Sequence, residues 1–190
     1  MLPFFTHQFG NAASKNHRYG LEAHRAVEAA RDALGRAIKA KPQDICFTSG
    51  ATEAVNLAIK GVFLAKRSTI PHFVTACTEH KAVLDSMKRI ESEGAAVTYL
   101  PVDHDGLLSP EQVEDAIRPS TVLVSIMAAN NEIGVLQPLR EIGAVCRRHN
   151  VFFMTDATQG LGKIPIHVES MNIDLLACSA HKIYGPKGIG

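Results

Sequence analysis

The sequence predicts an α/β fold in which a mostly parallel sheet carries helices on both faces. Short apolar runs alternate along the chain with longer segments of helical periodicity, as in strands joined by crossover helices. Residues 121–127 (TVLVSIM) are apolar and rich in β-branched side chains, which is typical of a central strand of a parallel sheet. Polar residues follow directly after several predicted strands, and ligands of parallel sheets collect at that edge.

Composition is that of a soluble globular protein. The 190 residues are 46% hydrophobic and 21% charged, with a net charge of +1. This near-neutral balance argues against a nucleic-acid partner, and no apolar run is long enough to span a membrane. Without a signal-like segment at the start, we expect a cytoplasmic location. Residues 1–20 are interpreted as an N-terminal segment, and residues 21–190 as one domain.

The first half of the chain is predicted to begin with a helix over residues 21–40, which ends before Pro42. A short strand over 45–47 and a turn over 48–53 lead into a helix over 54–66. Strands are predicted over 73–77 and 96–100, with a helical pattern from residue 81 between them. Ser109, Pro110 and Gln112 have the spacing of a capping box at the start of the next helix.

The second half continues the alternation after the strand over 121–127. A helix is predicted over 139–149, a strand over 151–155 and an apolar strand over 173–178. Asp103 and Asp105 in the turn before Gly106 invite a calcium site. We reject it, because the calcium-loop pattern requires an oxygen ligand at the position of Leu107.

Two residues at strand ends suit a Schiff-base cofactor. Lys182 follows the strand over 173–178, between a serine and histidine on one side and a glycine-rich loop on the other, where it can be desolvated. Asp156 follows the strand over 151–155 and supplies the carboxylate that a pyridinium nitrogen needs. An ordinary solvated lysine is the alternative for Lys182. Lys81 also follows a histidine after a strand, and local spacing does not distinguish the two lysines.

The turn over 48–53 is a candidate anion site. Small residues at a strand-to-helix turn let backbone amides point at an anion, which the helix dipole also favours. The plainer interpretation is a helix start capped by Thr48 or Ser49, and both can hold at once.

Cysteine spacing predicts neither a metal site nor a disulfide framework. Cys46, Cys77, Cys146 and Cys178 lie in apolar or helical runs, so we expect small buried hydrophobic residues.

Four stretches together resemble the cysteine desulfurases, which are pyridoxal-phosphate enzymes of fold type I in the class V aminotransferase superfamily. They are SAHKIYGPKG (residues 179–188), TDATQ (155–159), NNEIG (130–134) and TSGATE (48–53), in the family's order. The resemblance covers the chain from Gly10 onward. It implies the large, cofactor-binding domain of such an enzyme, a homodimer, L-cysteine as substrate and a protein that accepts the sulfur for iron–sulfur cluster assembly or thiolation.

The resemblance also implies roles for individual residues around pyridoxal 5'-phosphate. Lys182 holds the cofactor as a Schiff base and later moves protons, while His80 stacks on the ring and takes part in proton transfer. Asp156 pairs with the ring nitrogen, and Asn131 and Gln159 face the phenolic oxygen. The phosphate is expected to be held by four residues, Ala51, Thr52, Ser179 and His181.

Two parts of the family's machinery lie beyond the Schiff-base lysine: the persulfide cysteine and the arginine that binds the substrate carboxylate. Most of the small domain and the family's opening strand are also expected to be missing. We therefore expect the 190-residue chain alone to lack desulfurase activity. Alternatives are another class V enzyme, such as a selenocysteine lyase or a small-amino-acid aminotransferase, and a non-catalytic remnant.

Overall fold

The chain forms two compact units, Met1–Cys46 and Phe47–Gly190, in a computed structural model that describes residues 1–67 and 69–190. The division falls inside the segment that was assigned to a single domain over 21–190. The assignment of that segment as a cofactor-binding domain stays a prediction.

The first unit is helical. It contains α1 (Leu2–Thr6), α2 (Arg18–Ile38) and a 3-10 turn (Pro42–Asp44). Helix α2 begins before residue 21 because His17 caps it: the His17 Nδ1 accepts a hydrogen bond from the Gly20 N–H at 3.1 Å. Lys39 adopts a left-handed conformation (φ 59°) and ends the helix ahead of Pro42.

The second unit alternates helices and strands. Its elements are α3 (Ala51–Lys66), β1 (His72–Ala76), α4 (Lys81–Ser92), β2 (Ala96–Leu100), α5 (Pro110–Ala116), β3 (Thr121–Ser125), α6 (Leu139–Arg148), β4 (Phe152–Asp156), β5 (Leu175–Ala177) and a 3-10 helix (Ala180–Lys182). The sheet has the order β2-β1-β3-β4-β5, and every pairing is parallel. The predicted fold class is confirmed, with β3 at the centre of the sheet.

Helices cover both faces of this sheet. Because side chains alternate along a strand, Phe73, Leu123 and Met154 share one face, where they pack in one buried cluster with residues of α3 and α4. Phe153 points to the other face, where a β-carbon built on Gly143 of α6 would lie 3.3 Å from its ring. Because helices cover the two faces, the carboxyl edge of the sheet, where β1, β3, β4 and β5 end, remains open.

Residues 45–47 do not form the predicted strand. Nearby, Thr48 exchanges two backbone hydrogen bonds with Gly190, each 2.8 Å long, and one paired residue is too few for a strand. In the described part of the chain, no helix combines the length and apolar character that crossing a membrane requires.

The cysteine prediction is wrong for two of the four residues. Cys46 and Cys77 are exposed, because neither lies inside a strand: Cys77 follows the end of β1, and Cys46 lies outside any strand. Cys146 is buried in α6, and burial raises the pKa of its thiol to about 12. Cys178 is half-buried, and its pKa is raised by burial and by the charge of Asp156.

Candidate active site

A cavity of about 500 Å³ lies at the carboxyl edge of the sheet. It is bounded by the turn before α3 and by the loops that follow β1, β3, β4 and β5. Every residue predicted for the site lines it: Ala51, Thr52, His80, Asn131, Asp156, Gln159, Ser179, His181 and Lys182. Residues more than 100 positions apart in the chain are thus brought together by the parallel topology.

The N-terminus of α3 faces this cavity without a side-chain cap. Gly50 is the N-cap residue, so the expected capping by Thr48 or Ser49 is wrong, as is the predicted helix start at residue 54. The Ser49 N–H and hydroxyl both donate to the Glu53 Oε2 at 2.6 Å. The first amides of a helix have no partner within the helix, and the helix dipole makes this end positive. The turn can therefore accept an anionic group.

Asp156 places a buried carboxylate at the end of β4. It is 5% exposed, and its Oδ1 accepts a hydrogen bond from the Thr158 N–H at 2.9 Å. The second oxygen is not used by that bond, so the carboxylate can pair with a cationic group in the cavity. Thr158 also lines the cavity, and its buried hydroxyl has no partner among the described residues.

Lys182 is the last residue of the 3-10 helix that follows β5. It lines the cavity but is exposed, so this chain alone does not provide the expected desolvation. Lys81, the other candidate, extends along α4, where its amine pairs with Asp85, and it is not among the cavity-lining residues. Of these two candidate lysines, the structure brings Lys182 but not Lys81 to the site.

Ser179 and His181 flank the Lys182 turn as a hydrogen-bonded pair. The Ser179 hydroxyl lies 2.8 Å from the His181 Nδ1, and Ser179 itself is 4% exposed. The backbone N–H of Ala180 donates to the Ile189 carbonyl, which holds the returning loop against this turn. Both polar side chains are thereby fixed beside the lysine.

His80 faces the cavity from the start of α4. It is the N-cap residue, and its Nδ1 accepts a hydrogen bond from the Ala82 N–H at 3.1 Å. Because Nδ1 is the acceptor, the ring proton of the neutral form lies on Nε2. One interaction therefore sets both the orientation and the tautomer of this imidazole.

The two adjacent asparagines after β3 have different roles. Asn130 is 8% exposed and stabilises the turn: its side-chain oxygen accepts from the Glu132 and Ile133 N–H groups. Asn131 is exposed to the cavity. Gln159 joins it there, and because its oxygen accepts from Lys163 at 2.9 Å, its amide N–H groups remain available as donors.

Sequence reasoning missed two features of the site. Lys187, in the glycine-rich loop that follows Lys182, lines the cavity as a second cation. Glu79, next to His80, is buried, and burial raises the pKa of its carboxyl to about 8, with a further contribution from the charge of Asp156. The only indication of Glu79 in the sequence was an acidic residue shortly after the end of a buried strand, His72–Ala76.

The described residues contain no group of three or more His, Cys, Asp or Glu side chains placed to hold an ion. Across those same residues, no cysteine lines the cavity.

Comparison with protein families gives a match over the entire chain. The model of the family described as Aminotransferase class-V matches residues 1–190. The chain therefore belongs to the class-V aminotransferase family.

Within that family, the resemblance to cysteine desulfurases is confirmed. The chain is 57% identical to the probable mitochondrial cysteine desulfurase of Schizosaccharomyces pombe, over 100% of this chain and 38% of that protein. It is 55% identical to the cysteine desulfurase IscS of Rickettsia akari, over 100% of this chain and 46% of that protein. The chain thus spans less than half the length of these relatives. Their names include mitochondrial enzymes, so the expected cytoplasmic location is not supported.

Solved structures agree. A structure titled "SspA in complex with cysteine" superposes with a TM-score of 0.95 at 44% identity, covering 99% of this chain and 54% of that one. A structure titled "NIFS-LIKE PROTEIN" gives a TM-score of 0.95 at 38% identity, covering 100% of this chain and 52% of that one.

Proposed function

We propose that this chain is the cofactor-binding part of a pyridoxal-phosphate-dependent cysteine desulfurase. The observation that carries the proposal is the convergence of Lys182, Asp156 and the uncapped N-terminus of α3 on one cavity. An amine, a buried carboxylate and an anion site match the aldehyde, ring nitrogen and phosphate of pyridoxal phosphate. The residues present therefore fit this cofactor.

The residues divide among the parts of the cofactor. Asp156 would pair with the ring nitrogen and favour its protonated form, since an opposite charge within a few ångströms favours the charged form. The amides of Ala51 and Thr52 hold the phosphate together with the Ser179 and His181 pair. Bound in this way, pyridoxal phosphate supplies an electron sink for the substrate carbon.

The remaining residues act on the ring and the substrate. His80 would stack on the ring, and the amide groups of Asn131 and Gln159 would donate hydrogen bonds to its phenolic oxygen. The Lys182 amine would hold the cofactor through its aldehyde group and would move a proton at the substrate carbon that bears the amine.

L-cysteine is the proposed substrate of the whole enzyme. The support is the similarity to proteins named as cysteine desulfurases and to a structure whose title states a complex with cysteine. The products are alanine and a sulfur atom transferred to an enzyme cysteine, and from there to an acceptor protein of iron–sulfur or thiolation pathways. A homodimer is part of the same proposal.

Product analysis of the whole enzyme tests the proposal. We expect alanine and persulfide sulfur from L-cysteine in the presence of pyridoxal phosphate, with loss of both in Lys182→Ala. Lys81→Ala is the matched control and should keep the activity, because Lys81 pairs with Asp85 outside the cavity. Keto-acid products would indicate an aminotransferase instead, and turnover of selenocysteine alone would indicate a selenocysteine lyase.

A further inference from the structure

Glu79 is a buried acid between two loops that line the cavity, and no step of the proposed chemistry uses it. It is 5% exposed, and its Oε1 accepts a hydrogen bond from the Met127 N–H at 2.6 Å. The other oxygen, Oε2, is buried without a partner among the described residues. Glu79 itself does not appear among the cavity-lining residues.

The hydrogen bond from Met127 connects the two loops across 48 residues of sequence. On one side, Glu79 immediately precedes His80, the N-cap of α4 that faces the cavity. On the other side, Met127 begins the segment that leads to Asn131. A second link runs parallel to the first, from the Asn130 side-chain amide to the Thr78 carbonyl at 3.0 Å. Together they fix His80 relative to Asn131.

The surroundings of Glu79 favour its uncharged form. A carboxylate in the interior that accepts one hydrogen bond and leaves an oxygen unpartnered is costly, whereas the neutral acid is much less so. The charged group that acts on Glu79 is Asp156, at the end of β4. From the β3 side, Glu79 contacts the Met127 amide. Burial and that neighbouring charge both raise the pKa of Glu79.

We propose, on the basis of the function proposed above, that Glu79 is a positioning residue for the cofactor site. As an uncharged carboxyl it ties the His80 loop to the Asn131 loop and leaves Asp156 as the one negative charge of the pair. If Glu79 ionised, its negative charge would repel the Asp156 carboxylate and weaken the pairing of that carboxylate with the ring nitrogen.

Two variants separate the effect of the hydrogen bond to Met127 from the effect of the charge on Glu79. Glu79→Gln keeps an acceptor for the Met127 N–H and stays neutral at every pH, whereas Glu79→Ala removes the acceptor. Glu169→Gln is the matched control, because Glu169 is exposed and lies far along the chain in a turn after β4. Denaturant unfolding without added cofactor, at pH 5.5 and 8.5, measures the charge effect. Absorbance titration with pyridoxal phosphate at both pH values measures the effect on the site.

The sign of the pH effect follows from the raised pKa of Glu79. A group whose pKa is higher in the folded state stabilises the fold below its unfolded value, and that contribution is lost as the pH rises through the folded value, here about 8. The unfolding midpoint of the wild-type protein should therefore fall relative to Glu79→Gln between pH 5.5 and 8.5. Glu169→Gln should follow the wild type.

The affinity for pyridoxal phosphate should distinguish the two variants in the same way. Glu79→Gln should match the wild type at pH 5.5 and bind more tightly than the wild type at pH 8.5. Glu79→Ala should lose about tenfold at both, because the buried Met127 N–H is left unsatisfied.

The inference is overturned if the midpoint difference between Glu79→Gln and wild type is the same at both pH values, or if Glu79→Ala binds the cofactor as tightly as wild type. Should Glu79→Ala fail to fold, the comparison of Glu79→Gln with wild type across pH still decides. If the wild type itself binds no pyridoxal phosphate, the proposed function fails, and the positioning role fails with it.

Discussion

Two ionisable side chains lie at opposite ends of β1. The packing of the sheet buries both of them in surroundings that favour their uncharged forms. Glu79 follows the strand, and His72 begins it. The His72 Nδ1 lies 2.7 Å from the Thr121 hydroxyl and the Nε2 2.9 Å from the Thr98 hydroxyl. Burial, together with the charge of Arg118, lowers the pKa of His72 to about 4.

We predict that His72 stays neutral at physiological pH. Its folded pKa lies below the unfolded value of 6.5, so its contribution to stability is present above pH 6.5 and is lost as the pH falls towards 4. Histidine NMR titration of the folded protein checks this. A His72 resonance that titrates near pH 6.5 would contradict the burial argument.

In the proposed function, Asp156 supplies the charge that pairs with the ring nitrogen, and Asp156→Asn tests that charge alone. Asparagine keeps the oxygen that accepts from the Thr158 N–H, so the local turn should survive. An opposite charge shifts a pKa by about 1 to 3 units, so we predict a loss of roughly 10- to 1,000-fold in pyridoxal-phosphate affinity. Absorbance titration measures it. Unchanged affinity in a folded variant would exclude the proposed pairing.

At the scale of elements, two helical glycines give opposite predictions. A β-carbon on Gly143 of α6 would lie 1.9 Å from the Met171 carbonyl oxygen, whereas one on Gly61 of α3 meets nothing within 4 Å. Gly143→Ala should therefore destabilise the protein by about 1 to 3 kcal/mol through overpacking. Gly61→Ala, the matched control, should stabilise it by about 0.5 to 1 kcal/mol. Urea unfolding measures both, and equal effects would contradict the packing of α6.

Elements defined by local chemistry were predictable from sequence. The capping box of α5 forms as expected: the Ser109 hydroxyl accepts from the Gln112 N–H, and the Gln112 side chain accepts from the Ser109 N–H. The central position of β3 followed from its apolar β-branched composition. Features that depend on distant partners were not predictable. The acidic Glu79 is buried by a loop 48 residues away, and Ser49 bonds to Glu53 instead of capping α3.

For the whole molecule, parallel topology explains why the site could be anticipated. Residues that each follow a strand must meet at one edge, so motifs scattered between residues 48 and 188 converge on the cavity. The roles of those residues came from the family resemblance, and they stay predictions. The cysteines illustrate the limit of sequence patterns: apolar runs around Cys46 and Cys77 indicated burial, but both residues are exposed.

We predict that the 190-residue chain binds pyridoxal phosphate but does not release sulfur from L-cysteine. Within the described residues no cysteine lines the cavity, so none is placed to accept the substrate sulfur. Assay of sulfide and alanine with the purified chain, pyridoxal phosphate and L-cysteine checks this. Sulfide release that disappears in Lys182→Ala would contradict it.

The identity of the amine that carries the cofactor is tested most directly by borohydride reduction of the protein with pyridoxal phosphate, followed by peptide mapping. We predict a single label on Lys182: of the two lysines that follow a histidine after a strand, it is the one that lines the cavity with Asp156, whereas Lys81 pairs with Asp85 on α4. A label on Lys81, or no label on any lysine, would contradict the account.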